Sequence, residues 1–216
     1  LFRIDKVIDF QFSEDGRRMI FSGVAEGQSD LYLYQVIGNN QQQLTNDPYD
    51  DLTPRFLAGT DKVIFASNRI DDTLRTVTGA PLFNLNNDIY IMDFNNPGVL
   101  ERVTDTPEVN ESQPSSYDGK NYTYLSNESG ILNRYVAYID STISHIDTTI
   151  HYRWFTVSNR ISDLSASQIE YDFNPSNGTY SMVHLDDNRP KFSVGNIAGD
   201  LPISEDASGQ IIPIIS

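Results

Sequence analysis

Three stretches of the chain read as copies of one pattern, and this repeat restricts the fold more than any single residue does. The first copy runs Asp9-Phe10-Gln11-Phe12-Ser13-Glu14-Asp15-Gly16, then Met19-Ile20-Phe21-Ser22, then Leu31-Tyr32-Leu33-Tyr34, and closes on Leu44-Thr45-Asn46. The second keeps that order with Leu52-Thr53-Pro54-Arg55-Phe56, Val63-Ile64-Phe65-Ala66-Ser67-Asn68-Arg69, Asp88-Ile89-Tyr90-Ile91-Met92-Asp93 and Val103-Thr104-Asp105. A more worn third copy has Gln113-Pro114-Ser115-Ser116-Tyr117-Asp118-Gly119-Lys120, Tyr122-Thr123-Tyr124-Leu125-Ser126 and Tyr135-Val136-Ala137-Tyr138. Roughly 40 to 45 residues holding four short strands is the period of a β-propeller blade.

Residue chemistry supports the strands. Asp15-Gly16 and Asp118-Gly119 fall between two strand-like runs, where a tight turn needs the positive φ that glycine adopts freely. Met19-Ile20-Phe21, Val63-Ile64-Phe65 and Tyr122-Thr123-Tyr124-Leu125 are short and rich in β-branched and aromatic side chains, which suits buried strands and not helices. Leu31-Tyr32-Leu33-Tyr34 and Ile89-Tyr90-Ile91-Met92 put an apolar group on both faces, as blades stacked face to face require. A lone copy has nothing to cover those faces, so neighbouring copies supply the rest of the core.

Farther along, Tyr152-Arg153-Trp154-Phe155-Thr156 is expected as the outer strand of the third blade. Gln168 to Phe173 and Gly178 to Val183 are expected as the first hairpin of a fourth. The fold class is therefore all-β: a propeller of four-stranded antiparallel blades, about four blades or a partial ring in this chain. Residues 1–187 are assigned to the blades. Residues 188–216 are left as a tail, a last blade strand or the start of a following domain.

The ordered set of a turn, an apolar strand ending Ser67-Asn68-Arg69, the strand Asn87 to Asp93 and a Leu44-Thr45-Asn46 ending resembles the WD-related repeat of TolB-type propellers from Ile8 to about Asp140. Departures are Phe10 in the usual place of a proline, Glu14 and Tyr117 for the proline of the turn, Ser115 for its aromatic residue, and Tyr135 aligned with Asp30 and Asp88. The resemblance implies a ring of about six blades, so 216 residues starting at Leu1 are expected to be a piece of a larger protein. It also implies a non-catalytic protein-interaction scaffold in the bacterial cell envelope, periplasmic or outer-membrane-associated, with an envelope lipoprotein or outer-membrane protein as partner. A second implied role is the gating propeller of a larger serine peptidase of prolyl-oligopeptidase or dipeptidyl-peptidase type. A separate, third reading is a sugar- or small-ligand-binding propeller, in which Tyr and Trp side chains in the central pore stack on the ligand, with Trp154 the one tryptophan.

Charge narrows the partners. Thirty acidic against 15 basic residues give a net charge of −15, which repels a nucleic-acid backbone and favours a basic partner. No cysteine is present, so disulfides play no part. The apolar runs are only a few residues long, and a membrane-spanning helix needs about 20. His145, His151 and His184 are separated in the sequence without a His-Glu-x-x-His or similar spacing, which points to surface histidines and no metal. No Gly-x-Ser-x-Gly elbow occurs to carry a serine nucleophile, and no pattern asks for a cofactor. The pairs Asp50-Asp51, Asp71-Asp72 and Asp186-Asp187 lack the spacing of a calcium loop.

Asp30 and Asp88 recur at the start of matching strands and read as structural groups there. Arg69 reads as part of a blade corner. Residues 70–86 are an insertion that the first copy lacks, and a long loop on a rigid scaffold is a common seat of binding specificity. Asp71, Asp72, Leu74, Arg75, Leu82 and Phe83 are its candidate partner-binding residues, with the apolar ones either packed on the rim or offered to a partner.

Overall fold

The computed structural model describes residues 3–70, 74, 86–117, 120–174, 176–196, 203–205 and 211–213. These residues form strands and turns and contain no helix. The first sheet holds β1 (Lys6–Phe12), β2 (Arg18–Ala25), β3 (Gln28–Gln35) and β4 (Asn40–Gln43); the second β5 (Asp51–Phe56), β6 (Lys62–Ser67), β7 (Asp88–Asp93) and β8 (Leu100–Arg102). The third holds β9 (Glu111–Ser116), β10 (Asn121–Ser126), β11 (Asn133–Ile146) and β12 (Ile150–Arg160); the fourth β13 (Gln168–Asn174), β14 (Thr179–Asp186) and β15 (Arg189–Asn196). A two-stranded pair, β16 (Ile203–Glu205) and β17 (Ile211–Pro213), follows. Every pairing is antiparallel between sequence neighbours, the meander of a propeller blade.

Turn chemistry fixes the hairpins. Glu26 and Gly27, at φ 54° and 85°, join β2 to β3 in a two-residue loop whose twist matches that of the strands. Asp187 and Asn188, at φ 47° and 61°, do the same between β14 and β15, so residues 189–196 continue the fourth sheet. Gly16 has φ 66°, as the Asp15-Gly16 turn demands; Asp118-Gly119 lies outside the described residues.

The innermost strands β1, β5, β9 and β13 lie in succession against one another, which stacks the sheets as consecutive blades. Alternation along each central strand feeds two interfaces at once. Val63 and Phe65 of β6 join Ile20, Leu31 and Leu33 of the first blade, while Ile64 and Ala66 turn the other way to meet Tyr124, Tyr135 and Ala137 of the third. Tyr117, Tyr171, Phe173 and Tyr180 fill the interface between third and fourth. Each buried aliphatic side chain contributes roughly 1.5–3 kcal/mol, so the interfaces between blades hold most of the stabilisation.

Each four-stranded blade is also latched at its outer edge by a hydroxyl. The N–H of Leu31 donates to Thr45 Oγ1 (2.9 Å), that of Ile89 to Thr104 Oγ1 (2.8 Å) and that of Arg134 to Ser162 Oγ (2.7 Å). The residue before the latched amide receives the closing segment: Asp30 accepts from Thr45 (3.3 Å), Asp88 from the N–H of Thr106 (2.9 Å), Asn133 from Ser162 (2.9 Å). Asp30 and Asp88 are thus structural, as expected. The third-copy alignment needs correction, because strand register pairs Ser126 with Asn133 as it pairs Ser67 with Asp88. Asn133, not Tyr135, stands in the place of the aspartates. Ile161-Ser162-Asp163 is then the third closing motif, displaced in sequence by a hairpin much longer than its counterparts.

Candidate functional site

The inner strand of each of the last three blades begins with a buried polar residue: Asp51 in β5, Glu111 in β9, Gln168 in β13. Their surroundings differ. Asp51 is met by the guanidinium of Arg69, whose Nη2 lies 2.6 and 2.8 Å from its two carboxylate oxygens, while Arg69 Nη1 reaches Asp47 (3.1 Å) and Nε reaches Ser67 Oγ (3.0 Å). The rings of Tyr49, Phe65 and Tyr90 surround the same cation. Arg69 is wholly buried and forms the blade corner the sequence suggests. Burial works against its charge, but the charges of Asp51 and Asp47 outweigh that effect and raise its pKa.

Glu111 has no such cation. The position corresponding to Arg69 is Glu128, because Ser126-Asn127-Glu128 replaces Ser67-Asn68-Arg69. Two hydroxyls contact the carboxyl instead, those of Thr104 and, at 3.0 Å, Thr106. Burial pushes Glu111 up to about 8, with the charges of Asp88 and Glu128 adding to the effect. It is therefore mostly protonated at neutral pH. Asp30 is pushed up to about 7, by burial first and then by the charges of Asp51 and Asp47.

Glu111 lines a cleft of about 520 Å³ together with Arg102, Thr104, Tyr124, Trp154 and Phe155. Arg102 is held to one side by Asp88 (2.5 Å) and Asp105 (3.0 Å). On the other side stands the hairpin β11–β12, paired out to Ile146 opposite Ile150. Ile150, Tyr152 and Trp154 alternate on β12 and so share a face, with Ile143 directly opposite Tyr152. These side chains are exposed, Trp154 by 67%. A second cavity, also about 520 Å³, opens where the innermost strands converge and is lined by Gln11, Phe12, Phe56, Ser116, Asp172 and Phe173. The apolar rim and hydrogen-bonding floor of the Glu111 cleft suit recognition of a polypeptide segment.

Of the loop residues singled out by sequence, Asp71, Asp72, Arg75, Leu82 and Phe83 lie outside the described residues. Leu74 is half-buried and packs against the core between the first two blades. Sequence reasoning missed the cleft. Its available signal was the acidic start of the third inner strand combined with the loss of the arginine that answers it in the second. His145 and His151 are exposed strand residues, as the sequence suggests, and the long hairpin places them directly opposite each other. His184 lies half-buried in β14, with Nδ1 lacking a hydrogen-bond partner among the described residues. The Nε2 of His151 sits 3.1 Å from both oxygens of Asp147 and 3.2 Å from Thr149 Oγ1.

Stacked four-stranded meanders with innermost strands in sequence order define a β-propeller, here as consecutive blades of a partial ring. The blades are similar in fold to those of TolB structures. The structure of TolB from Acinetobacter baumannii overlaps 90% of this chain with a TM-score of 0.64 at 13% identity. A putative TolB from Agrobacterium tumefaciens overlaps 95% with a TM-score of 0.60 at 18% identity. This chain spans 42% and 63% of the lengths of those two proteins. At such identity the likeness is one of fold. No family model matches the sequence, and no curated protein matches it. No helix among the described residues is long and apolar enough to cross a membrane.

Proposed function

We propose that the chain is a non-catalytic protein-interaction scaffold of the bacterial cell envelope, working in the periplasm or against the outer membrane as TolB-like propellers do. The observation that carries this reading is the β11–β12 hairpin, which holds Ile143, Ile150, Tyr152 and Trp154 exposed on one face beside the Glu111 cleft. Exposed aromatic side chains on a rigid strand pair, with an arginine alongside, have the composition of interface anchors. The net charge of −15 favours a partner with a basic surface. An envelope lipoprotein or outer-membrane protein is the partner class proposed, and the loop bearing Asp71, Asp72, Leu74, Arg75, Leu82 and Phe83 is proposed as a second contact.

Affinity capture from bacterial envelope extract tests this reading, with the intact chain beside a variant carrying Tyr152→Ser and Trp154→Ser. An envelope lipoprotein or outer-membrane protein held by the first and lost from the second supports the scaffold. Equal retention by both, or retention of nothing, overturns the assignment to this surface. Peptidase activity of a longer chain containing this segment would replace the scaffold reading with that of a gating propeller.

A further inference from the structure

We propose that the tip of the β11–β12 hairpin is a binding site for a first-row transition-metal ion of the zinc, copper or nickel class, built from His145, Asp147 and His151. The two strands put the histidines in register as a direct cross-strand pair. Their rings stack with centroids 4.2 Å apart and planes 6° from parallel. Asp147 lies in the connection between them. Its Oδ1 accepts the N–H of Thr149 (2.8 Å), and its own N–H donates to Thr149 O (3.1 Å), so the turn fixes the carboxylate beside His151. One potential ligand atom from each of the three residues lies within 4.8 Å of the others, and all three side chains are exposed.

Donor chemistry selects the ion. Two imidazole nitrogens and one carboxylate oxygen match zinc, copper or nickel, whereas calcium and magnesium take oxygen ligands almost alone. Ligand atoms around a tetrahedral ion with bonds near 2.1 Å stand about 3.4 Å apart; His151 and Asp147 already meet at 3.1 Å, and with all three atoms within 4.8 Å of one another a wider pair closes by at most about 1.4 Å. Exposed side chains make that movement by small rotations. On binding, the ring nitrogen of His151 that faces the ion exchanges its contact with Asp147 for one with the metal. Three protein ligands leave at least one position for water or for a side chain of another molecule. The site is independent of the scaffold reading, because it requires only the hairpin.

Calorimetric titration of the whole chain with Zn²⁺ at pH 7.5, beside His145→Ala, His151→Ala and Asp147→Asn, reads the site directly. One zinc per chain is expected, with affinity at least about tenfold weaker in each histidine variant and a smaller loss in Asp147→Asn. Ca²⁺ at the same concentration should leave zinc binding unchanged, which separates the site from the acidic surface. Electron paramagnetic resonance of the Cu²⁺ form supplies a readout independent of variant folding, with nitrogen hyperfine structure from two imidazoles expected. Zinc affinity unaltered by both histidine substitutions, or a copper spectrum with oxygen ligands only, would overturn the proposal.

Discussion

Arg69 and Arg134 are both wholly buried, and the protein answers the two charges in opposite ways. Around Arg69 stand two aspartates and a serine within hydrogen-bond reach, and the corner is closed by rings. Arg134 occupies the core position held by Leu31 in the first blade and Ile89 in the second. It donates to Gln113 O (3.2 Å) and lies 3.5 Å from the ring centroid of Tyr171, while Nε and Nη2 find no hydrogen-bond partner among the described residues. Burial lowers its pKa to about 9, still high enough to keep it charged at neutral pH. The second blade therefore contains a completed ion network and the third an incompletely compensated cation. A repeat keeps its backbone scheme while the polar solutions within it diverge, and the third and fourth blades should be the easier to improve.

Breaking the completed network has the largest expected effect. Arg69→Met leaves Asp47 and Asp51 buried without their cation, and urea unfolding at pH 8 should report a loss of about 3–5 kcal/mol. The loss should shrink as pH falls, because burial already raises the pKa of Asp47 and protonation removes its uncompensated charge. Glu111→Gln tests the carboxyl that lacks an arginine. Its folded pKa of about 8 lies above the ordinary 4.5, so its favourable contribution is complete below pH 4.5 and disappears as pH rises through 8. Glutamine should leave stability unchanged near pH 4.5 and raise it by roughly 2–3 kcal/mol at pH 9. Arg134→Leu restores the residue type of the other blades and should gain about 1–2 kcal/mol in the same unfolding measurement. A loss would show that the Tyr171 contact and the Gln113 bond outweigh the cost of the buried charge. Trp154→Ser, at the exposed hairpin, should move the unfolding midpoint by no more than about 0.5 kcal/mol equivalent.

The blades were legible in the sequence because stacking faces impose a local signature: Val63-Ile64-Phe65 and Ile89-Tyr90-Ile91 must be apolar in both directions wherever a blade has neighbours. The expected outer strand around Tyr152 to Thr156 and the fourth hairpin were readable on the same ground, and both are present in β12, β13 and β14. The end of the third blade was obscured by the hairpin extension, which separates Ile161-Ser162-Asp163 from the strand it latches. The candidate cleft was still less legible. Glu111 and Trp154 become neighbours only through the pairing of β9 with β10, β10 with β11 and β11 with β12. The histidine pair depends likewise on the turn at Asp147 to Thr149, whose geometry no residue spacing announces.

The hydroxyl latches carry a consequence for how the chain acquires its structure during synthesis. The first sheet has all its pairing partners once Thr45 has emerged, and the second once Thr104 has; nearly all their strand contacts are between neighbours in sequence, which keeps contact order low and closure fast. The third sheet waits for Ser162, beyond the whole extended hairpin. Until that hydroxyl arrives, Tyr124, Tyr135 and the buried guanidinium of Arg134 have an unfinished sheet around them. The interval before the third latch closes is therefore where an emerging chain is most open to aggregation or to a chaperone.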